Sequence, residues 1–334
     1  MPTLTSREIR LKSRPTGTPA PENFELASAE AREPGPGEVQ VRNRFMSVDP
    51  YMRGRMWDRP SYVPPFQIGQ PLQGGAIGEV VASGDDAFKP GDLVTSMWGW
   101  REAFTAPAST LQKAETHGLP PQALLGVAGM PGMTAYVGLL KIAAMKEGDV
   151  VFISAAAGAV GAVACQIAKI KGATVIGSAG GPQKVAYLKE IGVDAAIDYQ
   201  AEPDLTAALA AAAPKGIDVY FDNVGGSHLE AALNAARPFA RFAICGMISL
   251  YNAAEPVPGP SNLPLIIGKR LRIEGFIVSD HGDLGPQAAR DMAEWIAAGK
   301  LQARETIDEG IEAAPGAFLK LFNGENFGKM LVRL

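Results

Sequence analysis

Val150-Val151-Phe152-Ile153-Ser154-Ala155-Ala156-Ala157-Gly158-Ala159-Val160-Gly161 decides the fold of this chain: an apolar run breaks into small residues, and an apolar-periodic helix follows. Ala155, Gly158 and Gly161 occupy the three small-residue positions of a dinucleotide-phosphate turn, where backbone must approach a pyrophosphate and the helix must pack tightly on its strand. The helix N-terminus adds unpaired N–H groups and positive dipole, which attract phosphate without a basic side chain. A small-residue turn alone is also ordinary capping, so the flanking segments must decide. The helix Ala159 to Lys171 carries Val160, Val163, Ile167 and Ile170 on one face, and Ala173 to Ser178 reads as the next short buried strand. Strand, turn, helix and strand follow in the order a nucleotide site requires; a plain α/β crossover is the alternative.

The choice of nucleotide turns on the end of that next strand. An NAD-preferring site places Asp or Glu about twenty residues past the glycines, where the carboxylate accepts hydrogen bonds from the ribose hydroxyls. Here Gly177-Ser178-Ala179-Gly180-Gly181-Pro182-Gln183-Lys184 is acid-free, so nothing in it repels a 2′-phosphate, and its hydroxyl and backbone N–H groups can donate to one. Lys184 supplies charge in the first turn of a helix read from Pro182 to Ile191, where a cation opposes the dipole by about 0.3 to 1 kcal/mol unless an anion offsets it. A solvated surface lysine is the competing reading. The pattern favours NADPH over NADH.

The chain has 334 residues, which favours two domains. Its net charge of −4, with acids and bases dispersed, forms no basic stripe for nucleic acid and no polybasic membrane anchor. It lacks an apolar run long enough for a membrane span, and Met-Pro-Thr-Leu-Thr-Ser-Arg lacks the apolar core of a signal peptide, so a cytoplasmic protein is expected. Cys165 and Cys245 lie in apolar stretches and are expected as buried thiols. His117, His228 and His281 are far apart and unaccompanied by paired cysteines, so no metal site is expected.

Before residue 130 the pattern is short alternating runs with turn punctuation, as in Val39 to Phe45, Glu79 to Gly84 and Asp92 to Val94, with Lys89-Pro90-Gly91 as a turn. This predicts a β domain. From 131 to 301 helices alternate with buried strands at Val150 to Ser154, Ala173 to Ser178, Ala195 to Asp198, Val219 to Asp222, Arg241 to Gly246 and Leu271 to Val278, which predicts a doubly wound parallel sheet. Leu205 to Ala213 reads as a helix stopped by Pro214. Ligands should gather at the carboxyl ends of the strands, at Asn223 to Gly226, Cys245 to Tyr251 and Phe276 to Val278. The segment 302–334, with Ile307, Ala317, Leu319 and Leu331-Val332, is expected to complete the β domain of residues 1–130, which is then discontinuous.

These segments carry a family resemblance. Ser47-Val48-Asp49-Pro50-Tyr51-Met52-Arg53, Gly129 to Tyr136, Ala155 to Gly161, Phe221 to Gly226, Cys245 to Asn252 and Asn326-Phe327-Gly328-Lys329 together resemble the zinc-independent medium-chain dehydrogenase/reductase superfamily, in its leukotriene B4 dehydrogenase, prostaglandin reductase and alkenal double-bond reductase branch. The resemblance implies an α/β fold, a Rossmann sheet domain plus a discontinuous GroES-like β domain, and a homodimer pairing at an edge strand such as Leu271 to Phe276. Where zinc-bearing relatives have a Gly-His-Glu ligand motif, this chain has Gln73-Gly74-Gly75-Ala76-Ile77-Gly78. It implies NADPH contacts at Gly158, Ala159, Val160, Gly161, Lys184, Tyr199, Asn223, Cys245, Gly246, Met247, Ile248, Ser249, Leu250, Tyr251, Phe276, Ile277, Val278 and Asn326. Tyr199 can donate its hydroxyl to the 2′-phosphate beside Lys184, with a surface aromatic as the alternative.

Similar enzymes reduce the carbon–carbon double bond of α,β-unsaturated ketones and aldehydes by hydride transfer to the β-carbon. The protein must align donor and acceptor and stabilise the resulting enolate. Tyr251 is the first candidate donor to the substrate carbonyl oxygen and Tyr51 the second, with packing as the alternative for Tyr51. Arg53 reads as structural or cofactor-adjacent, and Thr134 as a nicotinamide contact or a helix cap. Tyr62, Phe66, Trp98 and Trp100 can wall an apolar pocket for a hydrophobic enone, or pack the β domain. Quinone reductase, with the same fold and cofactor, and a non-enzymatic NADPH-binding protein are the rival functions.

Overall fold

The structure, a computed structural model, describes residues 3–334. The chain forms two compact units: residues 1–125, 305–326 and 330–334 make the first, and residues 126–304 with 327–329 make the second.

The second unit is built on six strands: β1 (Val150–Ile153), β2 (Thr174–Ala179), β3 (Ala195–Asp198), β4 (Ile217–Asp222), β5 (Ala236–Ile244) and β6 (Arg272–Gly275). All are parallel, and they lie in the order β3-β2-β1-β4-β5-β6. The order reverses between β1 and β4, the switch point at which open α/β sheets bind ligands beyond their strand ends. Helices α1 (Gly161–Ile170), α2 (Pro182–Glu190), α3 (Leu205–Ala212) and α4 (Gly226–Ala235) make the crossovers.

The structure differs from the sequence reading in four places. Helix α1 starts at Gly161 rather than Ala159, and it buries eight consecutive residues through Ala168, not one face. Small and apolar side chains all round let it sit fully inside. Strand β5 starts at Ala236, five residues early, and passes through Phe239, which has φ +65° and is 66% exposed. Strand β6 ends at Gly275, so Phe276 to Val278 lie just beyond its carboxyl end. Cys165 is buried, but Cys245 is half-buried because it lies past the last residue of β5.

The core of this unit is largely aliphatic, with the rings of Phe152, Tyr220 and Phe242 packed together inside it. Phe152 stacks on Tyr220 at 5.1 Å, and Tyr220 meets Phe242 edge-on at 5.3 Å.

The first unit contains a hairpin of Leu4–Leu11 with Phe24–Ala31 and a seven-stranded sheet centred on Glu38–Ser47. Of the two roles open to the loop aromatics, packing prevails. Trp100 is fully buried, stacked on Phe24 and edge-on to Phe318, each at 6.1 Å; Phe66 is buried, and Trp98 stacks on Phe104 at 5.6 Å. Three of the four aromatics are therefore packing residues, and Tyr62 alone is exposed.

A methyl group at Gly161 would overlap the carbonyl oxygen of Ala155 and come within 2.8 Å of Ala156 Cα. Both are backbone atoms of the β1–α1 turn and cannot rotate away. Gly161→Ala should therefore lower stability by about 1–3 kcal/mol, the usual range for overpacking. An unchanged unfolding midpoint in thermal or denaturant melts would contradict this close approach.

Candidate active site

The phosphate turn follows β1. Ala155 adopts φ +46°, an uncommon conformation for alanine that reverses the chain toward α1. The turn is held by hydrogen bonds from Ala156 N–H to the Ser178 carbonyl (2.9 Å) and from Gly158 N–H to the Ala155 carbonyl (3.0 Å). On its flank, Gly328 pairs with Gly158 and donates its N–H to the Ala157 carbonyl at 2.8 Å. The two glycines of the turn differ. Gly161 is closed in by protein, whereas a methyl at Gly158 would meet only the Ala155 carbonyl oxygen within 4 Å. An open face at Gly158 and a closed one at Gly161 are what a pyrophosphate and a helix–strand contact respectively require, so this turn fits a dinucleotide.

Lys184 and Tyr199 flank the turn after β2. Lys184, in the first turn of α2, is half-buried, and burial lowers its pKa; its ammonium lies 5.6 Å from the centre of the Phe327 ring. The Tyr199 hydroxyl lies 2.9 Å from where a methyl on Gly180 would stand, and its ring meets His228 edge-on at 5.2 Å. Burial pushes His228 down to about 4, so this neighbour is neutral.

Two expectations at this turn need correction. Ser178, the one hydroxyl of the acid-free stretch, is fully buried and is no phosphate donor. The N–H of Gly181 is already taken at 2.9 Å by Asp198, whose same oxygen accepts from Gln200 N–H at 3.1 Å. That acid comes from the end of β3, seventeen residues along the chain from Gly181, so a scan of 177–184 could not find it.

Asp222, at the end of β4, organises the switch point and was not singled out from sequence. It is fully buried, and its Oδ1 accepts from Tyr220 Oη (2.7 Å), Ser154 Oγ (3.2 Å), Val224 N–H (2.8 Å) and Gly225 N–H (2.8 Å). Burial raises its pKa, and these donors pull the other way. Its carbonyl oxygen also accepts from the N–H groups of Cys245 (2.8 Å) and Gly246 (3.0 Å). An Asp directly before the N–H-rich Asn-Val-Gly-Gly turn is the signal that could have marked it.

The Cys245 to Tyr251 loop is laced onto the Asn223 turn. Asn223 Nδ2 donates to the Ser154 carbonyl at 2.8 Å, Ile248 N–H donates to the Asn223 carbonyl at 3.2 Å, and Ser249 Oγ donates to the Val224 carbonyl at 2.6 Å. The Tyr251 hydroxyl accepts from Met247 N–H at 3.4 Å and stands 3.0 Å from where a methyl on Gly246 would lie. Burial, with Asp222 nearby, pushes the Cys245 thiol up to about 12, so it is not a thiolate nucleophile. The Phe276 ring packs edge-on against Phe221 at 6.4 Å.

The remaining candidates separate. Thr134 caps no helix: its hydroxyl donates to the Met130 carbonyl four residues back, at 2.7 Å. In the first unit, Arg53 is fully buried and donates to the Gly17 carbonyl at 2.7 Å, a structural role. Tyr51 is half-buried, and burial with the nearby Asp49 carboxylate raises its pKa, which keeps the phenol protonated. Asn326 also belongs to that unit.

Comparison with known proteins identifies the family. A family model described as the N-terminal domain of oxidoreductase matches residues 7–114, and one described as zinc-binding dehydrogenase matches residues 159–298. Among the described residues, no three His, Cys, Asp or Glu side chains gather as a metal-binding group. The NADPH-dependent curcumin reductase of Escherichia coli is 44% identical over 335 residues, covering 98% of this chain and 97% of the relative. The NADP(+)-dependent 2-alkenal reductase of Nicotiana tabacum is 42% identical, with 98% and 97% covered. The crystal structure of CurA from Vibrio vulnificus in complex with NADPH superposes with a TM-score of 0.93 at 41% identity, covering 98% of each chain. The chain belongs to the zinc-independent medium-chain dehydrogenase/reductase family, in the branch that includes the curcumin, 2-alkenal and prostaglandin reductases.

Proposed function

We propose that this protein is an NADPH-dependent reductase of the carbon–carbon double bond in α,β-unsaturated ketones and aldehydes. The observation that carries the reading is the Tyr251 phenol, held beside Gly246 by the Met247 N–H at the carboxyl edge of the sheet. Accepting that N–H polarises the phenol toward donating its own hydrogen. Its role is to donate to the substrate carbonyl oxygen, where negative charge develops once the β-carbon is reduced. NADPH, when bound, supplies the hydride. The chain's own work is to hold the pyrophosphate at Gly158 to Gly161, the 2′-phosphate at Lys184 and Tyr199, and the nicotinamide half at Asn223, Cys245 to Tyr251 and Phe276 to Val278. Tyr51, a protonated phenol of the first unit, is the second candidate donor.

Tyr251→Phe should reduce turnover on an alkenal by about 10²-fold or more, the scale of losing one donor to a developing oxyanion, with a far smaller loss of NADPH affinity. Unchanged turnover would clear Tyr251 of a direct role. Asp222→Asn should weaken NADPH binding and lower the unfolding midpoint, because the shared acceptor of Val224 and Gly225 loses its charge; the stability loss is about 1–3 kcal/mol. Fluorescence titration that finds wild-type NADPH affinity would contradict the positioning role given to Asp222.

A further inference from the structure

The segment Phe327–Lys329 lies in the same compact unit as the phosphate turn, although its neighbours 305–326 and 330–334 belong to the other unit. Its backbone is tightly fixed. Gly328 donates to Ala157, and Lys329 N–H donates to the Arg304 carbonyl at 2.9 Å. Gly328 has φ +57°, and a methyl there would overlap the Arg304 carbonyl oxygen, so only glycine fits. The Phe327 ring is thereby delivered to one place beside α2. Tyr187 meets it edge-on at 6.4 Å, the Arg304 guanidinium lies 4.5 Å from its centre, and the Lys184 ammonium lies 5.6 Å away.

Lys184 stands on a flexible four-carbon stem, and a lysine left to itself samples many rotamers. An aromatic face attracts an ammonium and narrows that choice, the more so where burial has stripped part of its water. Both effects act before any ligand arrives. We infer that Phe327 is a specificity-determining positioning residue: its ring holds the Lys184 ammonium ready for the 2′-phosphate, so that discrimination between NADPH and NADH depends on a residue that need not touch the cofactor. Arg304 on the same ring adds a second positive charge to that neighbourhood. The inference rests on the assignment of Lys184 to the 2′-phosphate.

Calorimetric titration of the full chain with NADP⁺ and with NAD⁺ tests both. Phe327→Leu keeps an apolar side chain but removes the aromatic face; it should raise the dissociation constant for NADP⁺ about two- to five-fold, the size of an exposed cation–π contact, and leave that for NAD⁺ unchanged. Phe327→Tyr, which keeps the ring, should retain wild-type affinity. In a Lys184→Ala background, Phe327→Leu should cause no further loss. Equal losses for both cofactors, or the same NADP⁺ loss without Lys184, would overturn the role of Phe327. A Lys184→Ala variant that weakens NADP⁺ and NAD⁺ alike overturns the underlying assignment instead, whereas a selective Lys184→Ala with a silent Phe327→Leu overturns only the inference.

Discussion

One carboxylate oxygen, Oδ1 of Asp222, ties together the structure at the switch point. Removing a carboxylate from water is costly, and the cost is offset only because two hydroxyls and two backbone N–H groups converge on it. Those donors come from the residue just past β1, from β4 and from the turn after β4, so the oxygen holds two adjacent strand ends and their exit loop in one arrangement. The Asp222 backbone carbonyl then accepts from Cys245 and Gly246, which extends the restraint to the loop after β5. A loop that must present groups to a cofactor with sub-ångström tolerance gains from being fixed in this way.

The same logic divides the labour among strand ends. The turn after β1 leaves one glycine face open and closes the other against the Ala155 backbone. The turn after β2 leads into α2, which carries Lys184, while β3 supplies the Asp198 carboxylate that holds Gly181 and is followed by Tyr199, whose hydroxyl lies beside Gly180. The loop after β5 carries Tyr251. Under the function proposed, hydride chemistry belongs to the cofactor, and the protein's contribution is alignment together with one donor aimed at the carbonyl oxygen. No thiolate or imidazolium is needed, consistent with the high pKa of Cys245 and the low one of His228.

How much of this was legible in the sequence depended on how local the information was. The βα succession, the phosphate turn and the placement of Lys184, Tyr199 and Tyr251 at strand ends follow from periodicity and small-residue spacing, which act over neighbouring residues. Asp198 escaped because it reaches Gly181 across adjacent strands, and register between strands is not written in either one alone. Ser178 looked available because a strand's alternation does not say that both of its faces are covered. Trp98 and Trp100 suggested a pocket because aromatic side chains in loops suit either role; only the stacking on Phe104 and Phe24 decides for packing. Phe327 lies far along the chain from Lys184, and nothing local links them.

The central claim is that the site delivers reducing equivalents to a conjugated double bond. Its most direct measurement is loss of NADPH absorbance by the purified protein in parallel with an alkenal, with the saturated aldehyde of the same length, with a quinone and with buffer. The account predicts loss with the alkenal and recovery of the saturated aldehyde as product, with none for the saturated aldehyde or buffer. Loss with quinone alone, or with no acceptor, would contradict it.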